Sequence, residues 1–209
     1  ITGPTRRTGF KAAYGYQLKL NNDMKLGFGL ALGLLQYTMD GSQIDLVEDN
    51  DIALSNSIQT AYSPDGAAGL YLYGEKFFVS LSAPQILGLK VQFFDSYTNT
   101  LSRLKNHYFI NGGYTFDLDG DFQIQPFAQG KYVNPLTPQI DIGLRGIYQE
   151  RYWLGTTWRS QDAFNIMAGL NFLDNFEFAY SYDITTNGLQ QASSGTHEVY
   201  LGFRFNERR

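Results

Sequence analysis

The chain has 209 residues, 43% of them hydrophobic and 16% aromatic, with 22 Gly and a formal net charge of −4. This length suits one sizeable domain, and the acidic balance argues against a nucleic-acid surface because there is no basic excess to neutralise phosphates. With no cysteine, disulfides, thiolate nucleophiles and cysteine metal ligands are excluded.

The chain opens on "ITGPTRR", with neither an initiator Met nor a signal peptide's apolar core, which is expected of a mature product or a piece of one. "GFKAAYGYQLKL" follows, with Phe10, Ala12, Tyr14, Tyr16, Leu18 and Leu20 on one face and Lys11, Gln17 and Lys19 on the other. After "NND" its hairpin partner "MKLGFGLALGLL" alternates Leu and Phe with Gly. The apolar run Leu26 to Leu35 within it is far short of the ~20 residues that a membrane helix needs. Next come "AGLYLY" and "KFFVSLS" around "GE", then "HYFINGGYTFDL" and "DFQIQPFAQGKYV" around "DG", a strong tight-turn signal. The remaining segments are "QIDIGLRGIY", "YWLGTTW", "FNIMAGLNFL", "FEFAYSYDI" and "HEVYLGFRF". About eleven strands of roughly 9 to 11 residues result, the length of a tilted membrane strand.

From Tyr108 to Tyr182 the outward positions are all even-numbered and uncharged, whereas Lys131, Asp141, Arg145, Arg159 and Glu177 lie on the opposite face. A soluble sandwich can show the same alternation, so period two alone does not decide. The wet face does: it is filled by Gly, Ser, Thr, Asn, Gln and Ala, and charged residues make up only 17% of the chain. Aromatic residues flank the short turns, at Tyr73, Phe77, Phe116, Phe122, Tyr148, Tyr152, Phe172 and Phe176, as in the girdles of outer-membrane barrels. The expected fold is therefore all-β, an antiparallel up-and-down transmembrane β-barrel forming a single domain over residues 1–209.

Connections alternate in length. The short turns "NND", "YGEK", "LDGD", "QER" and "LDN" alternate with longer links over residues 40–66, 83–104, 134–138, 160–163 and 185–196. Short turns belong in the periplasm and long loops outside, which puts the C-terminus in the periplasm. The odd count with an extracellular beginning conflicts with the even number in bacterial single-chain barrels, so the first strands are expected to be missing, with about 14 in the complete protein. In the link after "KFFVSLS", Ile86, Leu87, Leu89, Val91, Phe93 and Phe94 are too apolar to lie idle in water, and a plug in the barrel mouth is expected, with a partner contact as the alternative.

Several stretches in order, "GPTRRTG", "SAPQIL", "NHYFINGGYTFDL", "PFAQGKYVNPLTPQIDIG", "WLGTTWRSQDA", "YSYDITTNGL" and "SGTHEVYLGFRF", resemble the PorP/SprF family of type IX secretion system membrane proteins of Bacteroidetes. The resemblance implies a non-enzymatic outer-membrane barrel that assists secretion and surface anchoring of large adhesins in a gliding-motility setting. Its implied partners are outer-membrane lipid, an adhesin's C-terminal sorting domain, a periplasmic peptidoglycan-binding lipoprotein and other type IX secretion components. The family supplies no catalytic residues to carry over, and no cofactor is expected. A second reading is an outer-membrane transport channel for hydrophobic or small solutes.

Site candidates rest on physics. Arg145, Arg159, Glu177, Asp183, Glu198 and Arg204 form the interior charged set expected to line the lumen or hold a partner, with mutual salt-bridging as the competing role. No catalytic or metal residues are assigned. His197, with Ser194 nearby and Asp183 across the hairpin, makes a triad-like cluster conceivable, but a His197–Asp183 pair at the loop base is the plainer expectation. His107 is expected at the surface. "DLDGDF" lacks the twelfth-position Glu of a calcium loop and is read as a hairpin turn, and "DLVEDND" as solvated loop charge.

Overall fold

The alternation is built as one antiparallel up-and-down sheet. The computed structural model describes residues 5–43, 58–87, 90–91, 102–103, 105–160, 162–172, 175–188 and 195–205. The strands are β1 (Thr5–Lys19), β2 (Lys25–Asp40), β3 (Ile58–Tyr73), β4 (Phe77–Ala83), β5 (Lys90–Val91), β6 (Ser102–Arg103), β7 (His107–Tyr114), β8 (Phe116–Asp117), β9 (Phe122–Val133), β10 (Gln139–Tyr148), β11 (Tyr152–Arg159), β12 (Ala163–Phe172), β13 (Phe176–Thr185) and β14 (Thr196–Phe203). Hydrogen bonding runs β1-β2-β3-β4-β7-β9-β10-β11-β12-β13-β14, the up-and-down order of a barrel wall, with β8 attached to β9 and β5 paired only with β6. Each of the eleven strands on this path contains, or lies largely within, one of the segments read from the alternation. Among the described residues no helix is long and apolar enough to cross a membrane.

Two boundaries differ from the sequence reading. β3 begins at Ile58, so "SPDG" at Ser63 to Gly66, expected in a loop, lies inside a strand. "HYFINGGYTFDL" is broken at Thr115, whose N–H donates to the Lys76 carbonyl at 2.6 Å, and pairing with β9 resumes at Phe116 as β8. The proposed loop over residues 40–66 thereby shrinks, and "DLVEDND" at Asp45 to Asp51 lies outside the described residues.

Two compact units are delimited by chain contacts: Ile1–Leu18 with Gly27–Leu70 and Ser82–Tyr108, and Lys19–Leu26 with Tyr71–Leu81 and Phe109–Arg209. In the first, Leu30 and Leu32 are exposed, whereas Ser63 and Asp65, each 1% exposed, are the most buried side chains. Lys11 reaches Asp65 at 2.6 Å and donates to the Pro84 carbonyl at 3.1 Å. The expected plug is not what Ile86 and Leu87 form. The Ile86 N–H bonds to the Gly66 carbonyl, and both side chains lie over Gly66 beside exposed Leu32, on the apolar face. Leu89, Phe93 and Phe94, and the Val91 side chain, fall outside the described residues.

The second unit shows the same inversion more fully. Leu154 is 64% exposed and Leu201 76%, while Asp141 is 9% exposed and Thr157 8%. A water-soluble sheet would bury the leucines and solvate the aspartate, because apolar area gains by leaving water. The inversion is what a sheet in lipid requires. Register completes the outer aromatic band. Phe122 meets Tyr148 at 4.6 Å, and Phe176 meets Phe172 at 5.2 Å and Phe203 at 4.6 Å, each across directly paired positions. Tyr73 departs from the expected girdle. Its ring lies 4.9 Å from Tyr71, on the polar face, with the Lys25 ammonium 5.9 Å from its centroid.

The turn between β10 and β11 carries local strain. Gln149 and Glu150, in the three-residue loop between paired Tyr148 and Tyr152, both have φ of 54°, left-handed values that Gly or Asn adopts most easily, and the Arg151 N–H closes the turn on the Tyr148 carbonyl at 3.0 Å. Neighbouring turns hold it in place: Gln149 donates through its backbone N–H to the Asp121 carbonyl and through its side chain to the Asp121 carboxylate, both at 2.8 Å, and the Asn171 amide donates to the Glu150 carbonyl at 3.0 Å. Glu150→Gly removes the steric cost and leaves these bonds intact. It is expected to raise stability by about 1 kcal/mol, read as a higher urea midpoint for unfolding from phospholipid vesicles.

Candidate functional site

In the second unit the polar face is built in transverse rows set by strand register. One row reads Gln125, Arg145, Gly155, Met167, Ser181 and Glu198, and the next toward the short turns reads Gln123, Ile147, Trp153, Gly169, Ala179 and Tyr200. Glycine, alanine and serine are interspersed with large residues along them, so long side chains lie flat over small neighbours. A Cβ on Gly143 would run into the Phe127 ring, one on Gly113 would meet the Phe78 ring at 2.6 Å, and one on Gly169 would collide with the Trp153 indole. The glycine content of this face is the space that those rings occupy. Gly169→Ala is expected to lift the Trp153 ring at a cost of about 1–3 kcal/mol, with a change in Trp153 emission measured in a Trp158→Phe background.

The expected charged set divides into three groups. At the end of the sheet near the longer connections, Arg159 bonds Asp141 at 3.2 Å, its direct cross-strand partner, and lies 3.6 Å from Asp183 and 3.9 Å from Asp162. Asp183 accepts from the Asn165 amide opposite it, and Asp162 accepts from Asn187 at 2.8 Å. At the short-turn end Arg204 lies 3.9 Å from Glu177. Between them Arg145 donates to Gln125 at 2.7 Å and stacks 5.3 Å from the Trp153 ring, and Gln125 donates onward to Thr115 at 2.7 Å. Among the described residues Glu198 makes no ion pair or hydrogen bond. Salt-bridging therefore accounts for Arg159, Asp183, Glu177 and Arg204, but not for Arg145 or Glu198.

Arg159 with Asp141 and Asp183, together with Glu198, lines a cavity of about 750 Å³ contained in the second unit, whereas Arg145, Glu177 and Arg204 lie off its lining. Tyr71, Phe78, Trp153 and Tyr200 line it toward the short turns, and Asp141, Arg159, Asp183 and Glu198 line it toward the longer connections. Asn165, Trp153 and Asp141 were not among the residues bet on from sequence. Strand parity placed all three on this face, but nothing in the sequence gave the register that gathers them.

His197 corrects an expectation. It faces the apolar side, with Nδ1 2.6 Å from the Tyr180 hydroxyl and its ring 4.7 Å from Tyr182. Asp183, paired with Thr196, projects to the opposite face, so neither the His197–Asp183 pair nor a triad built on the two exists. Ser194 lies outside the described residues. His107 is part-buried, its Nδ1 2.9 Å from the Lys105 carbonyl. "DLDGDF" is the hairpin turn it was read as, with Gly120 at φ 76° and the Leu118 N–H bonded to the Phe122 carbonyl at 2.9 Å.

An exposed apolar face over a small-residue, charged inner face describes a membrane β-protein. The family described as type IX secretion system membrane protein PorP/SprF matches residues 1–203. The chain belongs to this family. The PorP/SprF assignment makes it a membrane component of the type IX secretion system, and it agrees with the resemblance carried by the "SAPQIL", "NHYFINGGYTFDL" and "SGTHEVYLGFRF" stretches. No curated protein matches the chain.

Proposed function

We propose that this PorP/SprF protein is an outer-membrane barrel that assists secretion and surface anchoring of type IX substrates such as large adhesins. Its longer connections face outward, and its short turns and C-terminus face the periplasm, where a peptidoglycan-binding lipoprotein docks. Gliding motility in a Bacteroidetes cell is the setting that this role fits. The supporting observation is the inner charged set of a family member: Arg145, Arg159, Glu177, Asp183, Glu198 and Arg204 share the face opposite the exposed apolar one, and the Glu198 carboxylate carries no partner among the described residues. Glu198 is exposed on that face, so its charge is open to a cationic group of an incoming polypeptide.

The test is purification of the tagged, full-length protein from outer membranes of its native host in mild detergent, with mass spectrometry of what accompanies it. The expected result is an adhesin C-terminal domain or a periplasmic lipoprotein, retained by wild type and depleted with Glu198→Gln and Arg145→Gln. A barrel that repeatedly emerges alone, with secretion unchanged in both variants, would overturn the anchoring role.

A further inference from the structure

The cavity of the second unit has two chemically distinct ends. Toward the short turns its walls are flat rings, with Trp153 laid over Gly169 and Tyr200 in the same transverse row. Toward the longer connections its charged lining is three carboxylates, Asp141, Asp183 and Glu198, against the single guanidinium of Arg159. Arg159 is already held by Asp141 and Asp183, so the remaining negative charge is centred on Glu198. A second acceptor belongs to a residue that lines the same cavity. The Asn165 amide nitrogen is committed to Asp183, while Asn165 Oδ1 is buried with no hydrogen-bond partner among the described residues. Buried acceptors without donors are uncommon, and an exposed, unpaired carboxylate on the wall of a ring-lined cavity is accessible to a positively charged group.

We propose that this cavity binds a small amphipathic cation, a compound with an aromatic or apolar body and one guanidinium or ammonium head. The body stacks on the Trp153 and Tyr200 rings, and the head donates to Glu198 and Asn165 Oδ1. About 750 Å³ is ample for a ligand of drug-like size, and rings with a few convergent polar groups are the usual make-up of such sites. Cation attraction to aromatic faces adds to the same preference. The site selects on charge sign: an anion of equal shape meets the carboxylates, and a neutral isostere leaves them without a partner. The inference stands on the cavity and does not depend on the anchoring role.

The probe is N-acetyl-arginyl-β-naphthylamide, and its control is the citrulline analogue, in which a neutral urea replaces the guanidinium at nearly constant shape. Binding is measured by equilibrium dialysis against the full chain in lipid nanodiscs, with empty nanodiscs subtracted for partition into lipid. Saturable one-to-one binding of the arginyl probe, at least about tenfold tighter than the citrullyl analogue, is expected, with that difference abolished by Glu198→Gln. Trp153→Leu should weaken both compounds together. Each variant is first checked for the heat-dependent mobility of a folded barrel, and Asn165→Asp, which adds a second negative charge, should tighten the arginyl probe if Glu198→Gln proves unstable. Equal binding of the two compounds, or binding in wild type that Glu198→Gln and Asn165→Asp leave unchanged, would overturn the proposal. Binding only when the arginyl unit is embedded in a longer peptide would assign the site to a polypeptide and overturn it as a small-molecule site.

Discussion

Leu144→Arg is expected to lower the stability of the protein in a bilayer by about 2–4 kcal/mol, the cost of an arginine facing lipid near the midplane. Leu144 is the sixth residue of the ten in β10, between Pro126 and Thr156, and its side chain is 48% exposed. The cost should fall along the strand, because a side chain nearer the interface can carry its charge to water. Phe178, third in β13, should be intermediate. Phe203 packs against Phe176 and Phe205 in the aromatic band, so Phe203→Arg should cost only about 0–1 kcal/mol. Ser181→Arg, on the cavity side beside Glu198, should cost less than Leu144→Arg despite the same charge. Urea titrations of folding into phospholipid vesicles give all four values, and a flat series would contradict both the facing and the depth assigned here.

The facing was legible because a strand displays alternate residues on opposite faces, and the uncharged even positions from Tyr108 to Tyr182 mark the lipid side whatever the neighbouring strands do. Strand count was legible for a related reason: each hairpin is punctuated by local turn chemistry, as at "LDGD". The same reliance on local signals failed at "SPDG". Proline, aspartate and glycine there are strong turn formers, yet the pattern is overridden by pairing within a long strand. Asp65, the most consequential residue of the first unit, was consequently assigned to a loop.

The candidate site was only half legible. Parity placed five of its six expected charges on the correct face, and Arg204 lies 3.9 Å from Glu177 on that side. Which charges meet depends on register, and shifting one strand by two residues keeps every face while changing every partner. Facing decided one pair instead: Asp183 was expected against His197, its near neighbour across the loop, but the two project to opposite faces, and Asp183 is gathered with Asn165 and Arg159. The selectivity proposed for the cavity depends on register: Glu198 remains unpaired because its directly opposed residue is Ser181 and not a cation.

Removing the Lys11 ammonium should be the other large effect. Asp65 is 1% exposed, and its remaining hydrogen bond comes from the Gly66 N–H at 2.9 Å, so Lys11→Met leaves a buried carboxylate almost uncompensated. Loss of one partner from a buried pair costs about 3–5 kcal/mol, and the lower end applies here because the Lys11 side chain is 34% exposed and water reaches part of the site. The companion variant separates charge burial from packing. Asp65→Asn in the Lys11→Met background removes the stranded charge and should bring stability back to within about 1 kcal/mol of wild type, a coupling well above that of independent sites. If both single variants and the double variant instead cost similar small amounts in vesicle unfolding, the pair contributes little. If the coupling is large, the pair acts as a tie across β2 between β1 and β3, holding in place a first strand whose residues are all otherwise exposed.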